Sequence, residues 1–327
     1  CTEEDAKHKV PEAIDQYPEV KTFGPKIPAY GVWARHVRGL KLKNVTFELK
    51  NKDMRPEIIC EDGDMEASSQ TWELASPDNV VRIIVENSKN GEDQLLQYSV
   101  HYGDSAVINP SRLGLVLNEV GLGENARLIS VSEVKNIHEP YSLKSGKQLN
   151  TVNDCKELTL AFESPEKIRF ELILRAYNDG VAFRYNLPGK SPEMHTIQDE
   201  LTEFSVPMNG KAWIHPYDWN SRHKPSYEQY ATSDIAIGSE PDPHRGWAFP
   251  ILFQTHHAWM MITEPLLDGP YPATHISNAG RNKAYKIRFP EQDESVLPTD
   301  GISPQSSFYI RRRFLGKSRT ILLELVV

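Results

Sequence analysis

The chain holds 327 residues, 39% hydrophobic and 25% charged, with a formal net charge of −8. These globular proportions exclude a disordered polymer, and the acidic balance argues against a general nucleic-acid surface. No run approaches the ~20 apolar residues that a bilayer span demands, so no transmembrane segment is expected. Cys1, Cys60 and Cys155 show neither a disulfide framework nor metal-ligand spacing.

In chain order, the first feature is the N-terminal cysteine. A mature chain opening Cys1-Thr2-Glu3-Glu4-Asp5 resembles a bacterial lipoprotein after signal cleavage, with lipid on the cysteine. That reading implies a periplasmic or cell-surface location in a bacterium, anchored at Cys1. The alternative is that the sequence simply begins there. From Val37 apolar residues then recur at Leu40, Leu42, Val45, Phe47 and Leu49, the rhythm of a half-buried strand. A second short strand is predicted at Glu57–Cys60, after the turn signal Asp53–Pro56. Short strands spaced this tightly suggest successive rungs of a parallel β-helix, whose aliphatic residues stack inward.

The run PAYGVWARHVRGLKLKNVTFEL, with DMRPEIICED after it, resembles the C-terminal end of glycoside hydrolase family 28, the polygalacturonase-like pectinases. The likeness covers about residues 2–65. That family works through aspartates on middle rungs, which would lie upstream of Cys1. Asp53, Asp62 and Asp64 read as turn residues, and Arg35 and His36 as packing or surface residues. Roughly two rungs make no independent core, because about three are needed. Residues 1–66 are therefore expected to be a remnant that is mobile, packs on the larger domain, or associates through exposed strands.

The join falls near Glu66–Gln70, and residues 67–327 read as a second domain. Strands are predicted at Val80–Glu86, Leu95–Tyr102, Glu157–Phe162, Ile168–Ala176 and Gly180–Tyr185. Phe204–Val206, Phe249–Gln254, Ala258–Ile262 and Tyr285–Phe289 continue the series. Without a convincing amphipathic helix, so many strands predict an all-β fold, one large antiparallel sandwich.

Five motifs in order, over about residues 70–300, sharpen this. They are ASPDNVVRIIVE, LLQYSVHYGDSAVINPSRLGLVL, LRAYNDGVAFRY, WIHPYDWNSRHKPSYEQY and FPILFQTHHAWMMITEPLLDGPYPATHI. Together they resemble the N-terminal domain of glycoside hydrolase family 97. The resemblance implies a β-supersandwich of the galactose-mutarotase-like type, preceding a (β/α)₈ barrel that carries the acid and the base or nucleophile. It also implies a calcium-binding glutamate reaching the active site, and Glu228 in SYEQY is the matching position. One carboxylate without its partners is not a calcium site, so no cofactor is expected for this chain alone. After Ser303-Pro304 the tail, QSSFYIRRRFLGKSRTILLELVV, departs from the family pattern, as a frameshifted or truncated gene end would.

Lys211–Tyr230 is the stretch richest in chemistry. Sugars lie on aromatic faces while flanking polar groups take their hydroxyls, which makes Tyr217, Trp219, Tyr227 and Glu228 the candidate sugar-binding residues. The competing reading is sandwich core or packed loop, preferred for Trp213 and level for Tyr217 and Trp219. His256 and His257, adjacent on a strand, would face opposite ways and cannot share a metal. His215, His223, His244 and His275 read as structural or surface residues. Asp218, Glu228 and Glu264 are the available carboxylates, but spacing places no pair of them across a glycosidic bond. No catalytic residue is assigned.

The expected function is a carbohydrate-binding, non-catalytic sandwich of an α-glucosidase or α-galactosidase type of glycoside hydrolase, joined to a pectinase tail. Its partner would be an oligosaccharide or polysaccharide. Two alternatives stay open: an autonomous lectin-like or scaffold module, and an active hydrolase using carboxylates of the sandwich cleft.

Overall fold

A computed structural model divides the chain into two units, Cys1–Thr71 and Trp72–Val327. It describes residues 2–326 except 3, 13–14, 17–21, 23, 39, 43–44, 46, 48, 64, 67–69, 91–92, 189–193, 218–229, 241–245, 266–273, 279, 281, 283, 291–310, 314–315 and 318–320.

In the first unit two strand pairs run parallel. Val32–Arg35 lies on Ile58–Glu61 with Val32 opposite Ile58, and Leu40–Lys41 lies on Met65–Glu66. Strands related this way are successive turns of one coil, since parallel neighbours require a return path between them. Between paired strands the chain turns at equivalent points. His36 (φ 57°) and Asp62 (φ 50°) both sit in the left-handed region, one above the other. Arg35 is held by Glu61 and Glu12, donates to the Val10 carbonyl, and lies 4.7 Å over the Trp33 ring. Asp53 accepts from the Arg55 guanidinium at 2.7 Å, which holds its carboxyl well below the usual range. The strand expected from Val37 to Leu49 is not one continuous strand. Among the described residues of that run only Leu40–Lys41 is strand, while Val37, Val45 and Leu49 are exposed. Its alternation reflects turns of a coil, not one extended segment.

The second unit is antiparallel throughout its described sheets. Four consecutive strands, Gln70–Ala75, Val81–Asn90, Asp93–Tyr102 and Ser105–Arg112, form one meander. A larger sheet carries Asn150–Glu163, Arg169–Tyr177 and Gly180–Leu187 side by side, and continues through Ile321–Val326, Trp259–Thr263 and Trp247–Gln254. Period-2 patterning explains how these layers pack. Phe170, Leu172, Leu174 and Ala176 are fully buried and face the core, while Glu171, Ile173 and Arg175 turn the other way. Val81, Ile83, Val85, Tyr98 and Val100 supply the opposing layer in the same core. Each such apolar side chain contributes roughly 1.5–3 kcal/mol on burial.

Aromatic contacts and satisfied hydroxyls tie the layers. Phe162 stacks on Phe170 at 5.5 Å and meets the edge of Trp72. Tyr98 Oη donates to the Glu203 carbonyl at 2.9 Å, and Gly114 N–H donates to Tyr185 Oη at 2.8 Å. The all-β sandwich is as the sequence predicts.

The tail is the main departure. Ile321–Val326 is an interior strand of the large sheet, antiparallel both to Gly180–Leu187 and to Trp259–Thr263. The apolar run that reads as anomalous in the sequence is thus part of the sandwich. No helix among the described residues is long and apolar enough to cross a membrane.

Candidate functional site

Three strand ends converge beside the stretch that the sequence marks as richest in chemistry. Lys211–Pro216, Trp247–Gln254 and His275–Ser277 are neighbours, with Pro216 opposite Trp247 and Trp247 opposite Ile276. Tyr217 N–H donates to the Gly246 carbonyl at 2.9 Å, extending the first pairing by one rung. Gly246 makes this convergence possible. Its φ of 133° suits glycine, and a Cβ there would drive into the Ile276 carbonyl.

The side chains at this junction are buried and polar. The Tyr217 ring stacks on the His275 imidazole at 3.9 Å with 10° between planes. Tyr217 is 8% exposed and His275 2%. Trp247 is also buried, and its indole Nε1 has no acceptor among the described residues. A buried donor of that kind suits a hydroxyl oxygen. Glu264 takes two hydrogen bonds from Thr274, one from N–H and one from Oγ1, each 3.0 Å. Its carboxylate thereby ties the chain on either side of 266–273.

Of the four candidate sugar-binding residues, only Tyr217 falls among the described residues. One face of its ring is occupied by His275. Trp219, Tyr227 and Glu228 lie outside the described residues, as do Asp218, His223 and His244. Trp213 packs against Trp259 with centroids 4.9 Å apart, and Trp259 stays 37% exposed. His256 and His257 occupy a turn rather than a strand, with rings edge-on at 5.0 Å. Among the described residues no group of three metal-ligating side chains gathers. Trp247 and His275 escape sequence reasoning as site-forming residues, because only strand register brings them to Tyr217. The Gly246-Trp247 pair was the available signal.

Residues 74–308 match the family model for the glycosyl-hydrolase 97 N-terminal domain. The chain belongs to that family. Two curated members are similar to it. A probable retaining alpha-galactosidase of Streptomyces bingchenggensis is 26% identical over 237 residues, 72% of this chain and 35% of that protein. A retaining alpha-galactosidase of Bacteroides thetaiotaomicron is 26% identical over 239 residues, 70% and 34% of the two chains. This family 97 chain therefore spans about a third of the length of those relatives. Solved structures share its fold. A beta-arabinopyranosidase superposes with a TM-score of 0.67 at 23% identity, covering 78% of this chain and 40% of that one. A family 97 enzyme from Pseudoalteromonas sp. strain K8, in complex with panose, gives 0.61 at 20% identity, covering 78% and 35%.

Proposed function

We propose that Trp72–Val327 is the carbohydrate-facing, non-catalytic sandwich of a glycoside hydrolase of α-galactosidase or α-glucosidase type. The observation that carries this is the family match over residues 74–308, with curated relatives that are retaining alpha-galactosidases. The junction of Tyr217, Trp247 and His275 supports it. It offers an aromatic wall and a buried N–H donor beside 218–229, the segment holding Trp219, Tyr227 and Glu228. Sugar hydrolysis needs two carboxylates ~5–9.5 Å apart across the bond, which this reading assigns to the part of the relatives that the chain does not span. Glu228 would contribute one calcium ligand there, and calcium would find too few oxygens on this chain alone.

The same proposal takes Cys1–Thr71 as derived from a pectinase-like β-helix. Its support is the parallel stacking of Val32–Arg35 on Ile58–Glu61, with His36 and Asp62 at equivalent corners. A lipid on Cys1 would hold the protein at a bacterial surface.

The test is to titrate the chain with galactose, glucose and galacturonate oligomers and to assay turnover of α-glycosides. Saccharide binding without turnover is expected. Turnover that disappears in Glu228→Gln would overturn the non-catalytic reading.

A further inference from the structure

The face of the large sheet that turns away from the core carries a ladder of polar residues. Register across Asn150–Glu163, Arg169–Tyr177 and Gly180–Leu187 sets Glu157 beside Arg175 and Ala182. The next row is Thr159, Ile173 and Arg184, and the one after is Ala161, Glu171 and Asn186. Most polar groups here are engaged. Arg175 Nε donates to Glu157 Oε2 at 2.8 Å, Asn186 Nδ2 donates to Glu171 Oε2 at 2.6 Å, and Tyr177 Oη donates to Asn153 Oδ1 at 3.1 Å.

Arg184 is the exception. It is partly buried, its Nε is sealed from solvent without an acceptor, and no described carboxylate makes a direct ion pair with it, although Glu157 acts on its charge from a distance. Burial lowers its affinity for the proton relative to an ordinary guanidinium, the neighbouring Arg175 acts in the same direction, and Glu157 offsets them only in part. Both carboxylates of the ladder are already committed, Glu157 to Arg175 and Glu171 to Asn186. A partly buried arginine without a direct ion pair costs stability unless something else supplies the anion. Ile173 is its direct partner across the strand pair, while Thr159, Ala161 and Ala182 around them are short.

We infer that Arg184 is the receptor for the carboxylate of an acidic saccharide, a uronate laid on this face of the sheet. A guanidinium presents a planar fork of donors that two carboxylate oxygens match, which a neutral hydroxyl does not. Glu157 and Glu171 lie in the rows flanking that of Arg184, each already engaged by its own partner. Thr159 offers a hydroxyl in the same row for the sugar's own hydroxyls. The carboxylate follows from Arg184; that a sugar carries it rests on the carbohydrate-facing role proposed above.

Calorimetric titration of the whole chain with four probes tests this: galacturonate (the acid counterpart of galactose), its methyl ester, galactose and acetate. Galacturonate is expected to bind about tenfold or more tighter than galactose or the ester, the scale of a lost charge-assisted pair. Acetate should bind more weakly than galacturonate. Arg184→Met should abolish the preference of acid over ester, and Arg184→Lys should keep only part of it. Ligand-free Arg184→Met should melt no lower than the parent, which a purely structural arginine would not allow. Equal binding of acid and ester, or a preference that survives Arg184→Met, overturns the inference. Acetate binding as tightly as galacturonate removes the sugar from it. Should Arg184→Met not fold, the acid and ester comparison on the unaltered chain decides. Galactose binding without acid preference overturns this inference alone, whereas no saccharide binding at all removes the carbohydrate-facing role as well.

Discussion

Tyr217 lies flat on His275, 3.9 Å between ring centroids and 10° between planes, although 57 residues separate them in sequence. The stack closes the junction at which Lys211–Pro216 and His275–Ser277 both meet Trp247. Tyr217→Ala should remove a buried aromatic face and cost about 2–4 kcal/mol in chemical denaturation, within the range for large-to-small core changes. Tyr217→Phe keeps the stack and should cost under about 1 kcal/mol.

Gly246 should tolerate no side chain. Gly246→Ala combines a φ of 133° with a Cβ directed into the Ile276 carbonyl, so the strand pairing itself must move. A loss of roughly 3 kcal/mol or more is expected, measured by urea unfolding. Gly103→Ala is the control: its φ is 56° but nothing lies within 4 Å, so only about 1 kcal/mol of backbone strain applies.

Glu264 is predicted to matter locally more than globally. Glu264→Ala strips both hydrogen bonds from Thr274 and should cost about 1–2 kcal/mol. Hydrogen exchange provides the sharper measurement: the Thr274 amide should lose protection while amides of Arg169–Tyr177 keep theirs.

Glu163 gives the pH dependence a definite sign. Arg127 donates to its carboxylate at 3.0 Å, with Lys167 and Arg169 nearby, and the Arg127 hydrogen bond is the main reason its pKa is lowered. A carboxylate with a lowered folded-state pKa stabilises above its unfolded value, near 4.3, and that stability disappears as pH falls through the folded value. Glu163→Gln should therefore destabilise at pH 7, and the difference from the parent should vanish in thermal melts taken on the acid side. Added salt should shrink it too.

Strand existence was legible where one face is buried and the other wet. Arg169–Tyr177 alternates Phe170, Leu172, Leu174 and Ala176 with Glu171 and Arg175, and the sequence declares it. Lys135–Ser142 was missed because almost all of it is exposed and it contains Pro140, so no apolar period marks it. Its existence depends on pairing along Asn150–Glu163. Ile321–Val326 misled for the opposite reason. Its run of Ile321, Leu322, Leu323, Leu325 and Val326 lacks the alternation that distinguishes a strand, and its place in the sheet follows only from pairing with Gly180–Leu187 and Trp259–Thr263. The candidate site was half legible. Tyr217 stands out by composition, but His275 and Trp247 reach it only through register across three strands. Arg184 could not have been singled out, since lacking a direct ion pair is a property of three dimensions.

The two-turn coil of the first unit has a geometric consequence. Val32–Arg35 and Ile58–Glu61 form a two-stranded sheet, so among the described residues each strand keeps one side of its backbone unpaired. The two free sides are not equivalent: one belongs to the lower turn and the other to the upper. Joining them repeats the same translation, ~4.8 Å per strand, and never closes into a ring. Self-association through these edges would thus follow the growth law of a linear polymer, lengthening steadily with concentration instead of stopping at a dimer.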